Sequence, residues 1–324
     1  MPYFENHTYQ SVWWQPERHT QTIFPSYRKI IDAPTPRRLR IDTPDDDFLD
    51  LDVYETAVAH AGEVPPVVIL THGLEGNSRR PYVVGMAKIL VEHGFDVVAW
   101  NCRSCSGEMN RQFRLYSHGE IEDLKTVFDF VMRQKNYLKS ALVGFSMGGN
   151  ISLKFASLYA PATLARVATF SPPLDLRDST ETLAGRGNFL YRTMFHNDAG
   201  NKIATKAKLF PEIFDLKAFN FLKGWFDVVA AFAFVNGFRD VAEYYYEGSA
   251  MNFLDKLRVP SLSVQAKNDP MATQKCIPKS LAEKHEYFHL ETVNAGGHLG
   301  FSLGRKSIFT WAELRALAFL SAIR

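Results

Sequence analysis

Of the 324 residues only three are cysteine (Cys102, Cys105 and Cys276), too few and too scattered for a disulfide framework. An excess of charge of either sign is also missing. Acidic and basic side chains number 35 and 37, leaving a net charge of +2. No strong field is then available to attract nucleic acid or an anionic membrane. Apolar residues make up 46% of the chain, yet no run approaches the ~18 to 20 uncharged apolar residues that a membrane span needs. WFDVVAAFAFV (Trp225 to Val235) comes nearest, but it is too short and Asp227 interrupts it. The opening residues, MPYFENHTYQSVWWQPERHTQT, lack the basic segment and apolar core of a secretory signal, so a cytoplasmic location is expected. Internal repeats and low-complexity tracts are missing too. Cys102 and Cys105 form a C-x-x-C pair, but no second metal-spaced pair accompanies it and NCRSCSG lacks a thioredoxin-like setting. Reduced thiols near a strand end are expected there.

The length suggests one large α/β domain with an insertion, or two smaller domains. Residues 1–48 read as an arm of turns and short elements. FLDLDVYE alternates apolar and polar residues, as a half-buried antiparallel edge strand does. VVIL, DVVAW, SALVGF and RVATF are short apolar runs of the kind buried on both faces of a parallel sheet. Helical stripes separate them. Tyr82 to His93 carries Val83, Met86, Ala87 and Leu90, with Gly94 as a stop signal, and Ile121 to Met132 carries Leu124, Val127, Phe128 and Val131. Strand and helix in this rhythm predict a mostly parallel, doubly wound sheet. After Pro172 and Pro173 the rhythm breaks, and residues 175–250 offer helices and aromatics but no convincing strand. VPSLSVQA and YFHLETV resume the strands, and Ile308 to Ile323 reads as a closing helix. The expected organisation is therefore an α/β core of residues 49–174 and 251–324. A helical cap of residues 175–250 would lie over the sheet edge where open α/β sheets keep their sites.

Chemistry concentrates at Gly144-Phe145-Ser146-Met147-Gly148, between the strand SALV and the helical stretch NISLKFASLYA. A G-x-S-x-G segment in that context is a nucleophile elbow, a sharp turn that lifts the serine above the sheet. Gly144 and Gly148 fit because side chains there would collide. A serine hydroxyl needs a base, and in this arrangement the chain order is serine, acid, histidine. His298, in NAGGHLGF after the last strand, is the candidate base. His285 falls in a charged helical stretch and His289 inside the strand. Asp269, in the turn after SLSVQA, is the candidate orienting acid; its neighbour Asn268 cannot carry the charge that steadies an imidazolium. Oxyanion donors are expected from the backbone of Met147 and of Leu74, with Gly73 letting the loop turn. His72 lacks a second ligand at metal spacing, and no metal or organic cofactor is implied.

Together these segments resemble the α/β-hydrolase superfamily and, more narrowly, its YheT-like branch. The narrower resemblance rests on HTQTIFP, HGLEGNS, SGEMNRQFRLYSHGEIEDL, GFSMGGN, AKNDPM and GGHLGF, spread from residue 19 to residue 301. It implies an α/β-hydrolase fold and hydrolysis of carboxylic esters, with lipid esters in some relatives, and places the charge-relay residues on Ser146, Asp269 and His298. Two positions depart from the pattern. Ser104 stands where relatives usually carry glycine, and Asn268-Asp269-Pro270 stands where they often read Asp-Asp-Pro.

The expected reaction is ester hydrolysis through an acyl-enzyme on Ser146, with a small-molecule ester as partner. The aromatic residues Phe219, Phe221, Trp225, Phe226, Phe232, Phe234 and Phe238 are candidates to line an apolar acyl pocket. Transfer of the same acyl group to an alcohol or thiol acceptor is a rival reading. So is a non-catalytic binding protein built on the same fold.

Overall fold

The computed structural model describes residues 2–58, 62, 64–213, 224–304 and 307–324. Its centre is a run of parallel strands: β4 (Val67–Thr71), β5 (Asp96–Trp100), β6 (Ser140–Phe145), β7 (Leu164–Phe170), β8 (Ser261–Ala266) and β9 (Phe288–Val293). Their apolar runs follow from burial on both faces. In β4, Val67 and Ile69 join one core cluster while Val68 and Leu70 join the other. The first cluster is closed by α3 (Glu122–Lys135) and α4 (Met147–Leu158), the second by α2 (Pro81–Glu92) and α10 (Trp311–Leu320). Helix α2 ends where Gly94 takes a φ of 82°, a left-handed stop. A short helix, α9 (Lys279–Ala282), lies between β8 and β9.

The edges differ from the expectation. The complete order is β1-β9-β8-β7-β6-β4-β5-β3-β2, where β1 is Tyr3–Asn6, β2 is Arg37–Asp42 and β3 is Phe48–Tyr54. The first residues of the chain thus supply both edge strands. FLDLDVYE forms β3, antiparallel as expected, but it lies inside β2 and is almost wholly buried. Its alternating aspartates are the reason it looks half-solvated in sequence. Asp50 and Asp52 face Arg40 and Arg38 across the β2–β3 register. Each accepts a two-pronged guanidinium bond, at 2.8 and 2.9 Å for Arg40 and at 2.5 and 2.9 Å for Arg38. Paired in this way, the carboxylates can be buried.

Between β7 and β8 the chain leaves the sheet for α5 (Leu176–Ala184), α6 (Phe189–Leu209), α7 (Trp225–Val235) and α8 (Val241–Gly248), with no strand among the described residues. Phe219 and Phe221 lie outside the described residues. Among the described residues no helix is long and apolar enough to cross a membrane.

Candidate active site

Strand β6 ends at Phe145 and α4 begins at Met147, so Ser146 alone makes the turn, at φ 51° and ψ −121°. That conformation is sterically costly for a residue with a β-carbon, about 1–3 kcal/mol. It is held by the Ser146 N–H bond to the Phe170 carbonyl (2.9 Å) and by tight packing on both sides. A β-carbon on Gly144 would sit 2.3 Å from the Gly148 carbonyl oxygen, across the turn. One on Gly148 would sit 2.2 Å from the Thr71 carbonyl oxygen, so this glycine is required by the end of β4 rather than by the turn itself.

The other two candidate residues converge on this serine from chain segments far away. His298 Nε2 lies 2.9 Å from Ser146 Oγ, and His298 Nδ1 lies 2.8 Å from Asp269 Oδ2. A buried carboxylate can only accept, so Nδ1 carries the proton and Nε2 is left to accept from the serine hydroxyl. The second Asp269 oxygen accepts the Met271 N–H at 2.7 Å. Asn268 plays a different part. Its Oδ1 accepts the Gly297 N–H at 3.1 Å, tying the acid turn to the histidine loop. His285 Nδ1 accepts the N–H groups of Tyr287 and Phe288 in a turn, and His289 sits within β9.

Two residues of the HTQTIFP segment complete this arrangement, although no role follows for them from spacing alone. The segment's first five residues lie in α1 (Arg18–Ile23), which packs directly on the histidine loop. Gln21 is buried, and its Oε1 accepts both the Gly296 N–H (2.9 Å) and the Asn268 side-chain amide (2.8 Å). Thr22 Oγ1 accepts the His298 N–H at 2.9 Å and donates to the Arg18 carbonyl at 2.7 Å. Gly297, at φ 57°, admits this contact, since a β-carbon there would lie 2.6 Å from Thr22 Oγ1. Replacing Thr22 by valine keeps the shape but leaves the His298 N–H without its acceptor. Thr22→Val is expected to lower kcat about tenfold with little change in KM, and Thr22→Ser to restore it. Steady-state kinetics on the three proteins check this. Equal kcat values would show that Thr22 does not position the ring.

Around the expected oxyanion loop the backbone is fixed residue by residue. The Gly73 N–H donates to Tyr82 Oη at 3.1 Å. His72 Nε2 accepts the Cys102 N–H at 3.0 Å, so its Nδ1 donates to the Gly73 carbonyl at 2.7 Å. His72 thus serves the loop through backbone bonds, and burial lowers its pKa to about 4. Leu74 follows beside Ser146, and Met147 opens α4, where first-turn N–H groups have no intrahelical acceptor. Next comes Glu75, at φ 52°. Its carboxylate receives Lys202 Nζ of α6 at 2.6 Å and the Tyr116 hydroxyl in a very short bond.

Cys102 and Cys105 are buried free thiols. Burial pushes the Cys105 thiol up to about 11, and Lys202 Nζ lies 3.2 Å from its sulfur. Ser104, between them, adopts φ 61°, the left-handed region that glycine enters freely. Its hydroxyl donates to Asn110 Oδ1 (2.6 Å) and accepts the Asn110 N–H (3.1 Å), a local compensation for that backbone.

Two cavities meet at Ser146 and His298. The smaller, about 50 Å³, is walled chiefly by α5, α6 and α7. The larger, about 480 Å³, is walled by α1 and the residues after it, by α6 and by the loop following His298. Of the candidate aromatics, Trp225 and Phe232 line the smaller cavity. Phe226 and Phe234 are exposed, and Phe238 packs on Tyr244. Phe195, Leu183 and Val228 supply walls that the aromatic pattern does not mark.

His118, also on the smaller cavity, is half-buried with its Nδ1 3.1 Å from Tyr244 Oη, and desolvation there lowers its pKa to about 4. Between pH 6.5 and 4 the unfolded chain binds protons at His72 and His118 that the folded chain does not. The stability they confer is complete above pH 6.5 and is lost as pH falls towards 4. The thermal midpoint is expected to drop between pH 6.5 and 5, with His118→Phe flattening the slope by about half. A midpoint constant across that window would contradict the assignment.

A sequence profile of the α/β hydrolase fold matches residues 66–304. The chain is 31% identical to the YheT protein of Escherichia coli (strain K12) over 292 residues, 87% of this chain and 84% of the relative. It is 26% identical over 303 residues to phospholipase ABHD3 of Bos taurus, covering 92% of this chain and 74% of the relative. Among solved structures, the esterase Pf2001 of Pyrococcus furiosus matches with a TM-score of 0.59 at 16% identity, over 89% of this chain and 91% of that one, a likeness of fold. With the profile spanning most of its length and YheT aligned over nearly all of it, this chain belongs to the α/β-hydrolase family, in the YheT-like branch.

Proposed function

We propose that this protein is a serine hydrolase that cleaves carboxylic esters through an acyl-enzyme on Ser146. One observation carries the reading: the unbroken hydrogen-bond chain from Ser146 Oγ through the His298 ring to Asp269. A structural serine at that turn needs neither an imidazole within 2.9 Å nor a carboxylate behind it. The ester-hydrolysing relatives support the reaction class, since a phospholipase cleaves esters and Pf2001 is named an esterase.

The geometry supports the following roles. His298 Nε2 takes the hydroxyl proton as Ser146 Oγ attacks the acyl carbonyl, and the Asp269 carboxylate stabilises the imidazolium that forms. The backbone N–H groups of Leu74 and Met147 receive the oxyanion; one such donor is worth about 3 to 4 kcal/mol of barrier. The imidazolium then protonates the departing alcohol, and water repeats the sequence on the acyl-enzyme. Helices α5 to α8 act as a cap whose apolar residues wall the acyl chain.

The test is turnover of paired chromogenic substrates by the purified chain. p-Nitrophenyl butyrate is expected to be hydrolysed with an initial burst of nitrophenolate, and the matched anilide to be untouched. Cleavage of the anilide with none of the ester would overturn the proposal.

A further inference from the structure

The two cavities that meet at Ser146 and His298 differ about tenfold in volume, 50 against 480 Å³. They also differ in their walls. Leu299, Gly300 and Phe301, the residues that follow His298, face the larger cavity only. In the reaction proposed above, the leaving oxygen must take its proton from His298 Nε2. Departure on the side built by the histidine's own loop satisfies that requirement. Deacylation points the same way. Water must take the place that the alcohol vacates, next to the same nitrogen, and the rim of the larger cavity includes exposed residues, Tyr27, Arg80 and Leu190. The smaller cavity is lined by buried side chains, among them Leu176, Leu183, Val228 and Phe232. Its wall is mostly apolar, which suits a hydrocarbon chain.

We infer that the smaller cavity is the acyl subsite and the larger one the alcohol subsite, so that the preferred substrates are esters of short acyl chains with large, mainly apolar alcohols. A cavity of ~150 Å³ is enough for benzene. One of about 50 Å³ therefore accommodates an acyl group of about two to four carbons. The larger cavity accepts an alcohol of eight carbons or more along Ile23, Pro25, Leu190 and Met194, with Arg28 and Glu313 also on its wall. This inference rests on the acyl-enzyme reading and adds an orientation to it.

Two isomeric esters test it, because octyl acetate and ethyl octanoate contain the same atoms and differ only in which side of the ester is long. The expected result is a kcat/KM for octyl acetate at least about tenfold above that for ethyl octanoate, a difference of the size that a few misplaced methylenes produce. Leu190→Glu, at an exposed position on the larger cavity's wall, is expected to narrow the ratio at least about threefold by making that wall polar. p-Nitrophenyl acetate serves as the control. If it is hydrolysed while ethyl octanoate is the equal or better isomer, the assignment of the cavities is overturned and the acyl-enzyme reading stands. If none of the three esters is hydrolysed and a fluorophosphonate fails to label the chain, both fall together.

Discussion

Ser146→Ala is expected to lower ester turnover by about 10⁴-fold or more, and to leave the thermal midpoint essentially unchanged. The loss follows from the attack itself, since the hydroxyl that His298 Nε2 faces is the one removed. The unchanged midpoint follows from what the side chain does structurally. Its hydroxyl bonds to the histidine, while the elbow is held by backbone contacts of Gly144, Gly148 and Phe170 that alanine preserves. Initial rates with p-nitrophenyl butyrate and a thermal melt are sufficient measurements. Activity within about tenfold of the parent would remove Ser146 from the reaction.

Asp269→Asn should be nearly as damaging, about 10³- to 10⁴-fold in kcat, for a reason of proton placement. Both Asp269 oxygens accept: one from the Met271 N–H at 2.7 Å, the other from His298 Nδ1 at 2.8 Å. An amide offers only one acceptor. If its oxygen serves Met271, its NH₂ faces the ring and forces the proton onto Nε2, where it points at the serine and no base remains. If the oxygen serves the ring, the NH₂ confronts the Met271 N–H in a buried turn. Steady-state kinetics over a pH range distinguish this from unfolding, because the variant should keep its fold and bind substrate with a similar KM. A kcat within a few-fold of the parent would show that the carboxylate does not orient the ring.

Much of this is legible in the sequence, and what is not has physical causes. The parallel strands are readable because burial on both faces demands uninterrupted apolar residues, as in VVIL and DVVAW. The elbow is readable because so few residues fit such a turn. Asp269 and His298 are readable because the loops at the ends of β8 and β9 open onto the same sheet edge. Strand β3 misleads because ion pairing to Arg38 and Arg40 lets buried aspartates imitate a solvent face. Gln21 and Thr22 lie more than 270 residues from the loop they hold, and local pattern carries no signal of such a contact. In WFDVVAAFAFV nearly every position is apolar, so no stripe shows which side of the helix turns inward. The sequence therefore does not separate Trp225, which reaches the cavity, from Phe226 and Phe234, which are exposed.

In the proposed reaction one oxygen, Ser146 Oγ, bonds covalently to the acyl group during turnover. Incubation of the native chain with a fluorophosphonate, followed by intact mass measurement and peptide mapping, tests it most directly. A single adduct on the peptide bearing Ser146, formed in step with loss of esterase activity and missing from Ser146→Ala, is the predicted result. An adduct on another residue, or full ester turnover with Ser146 unmodified, would contradict the account.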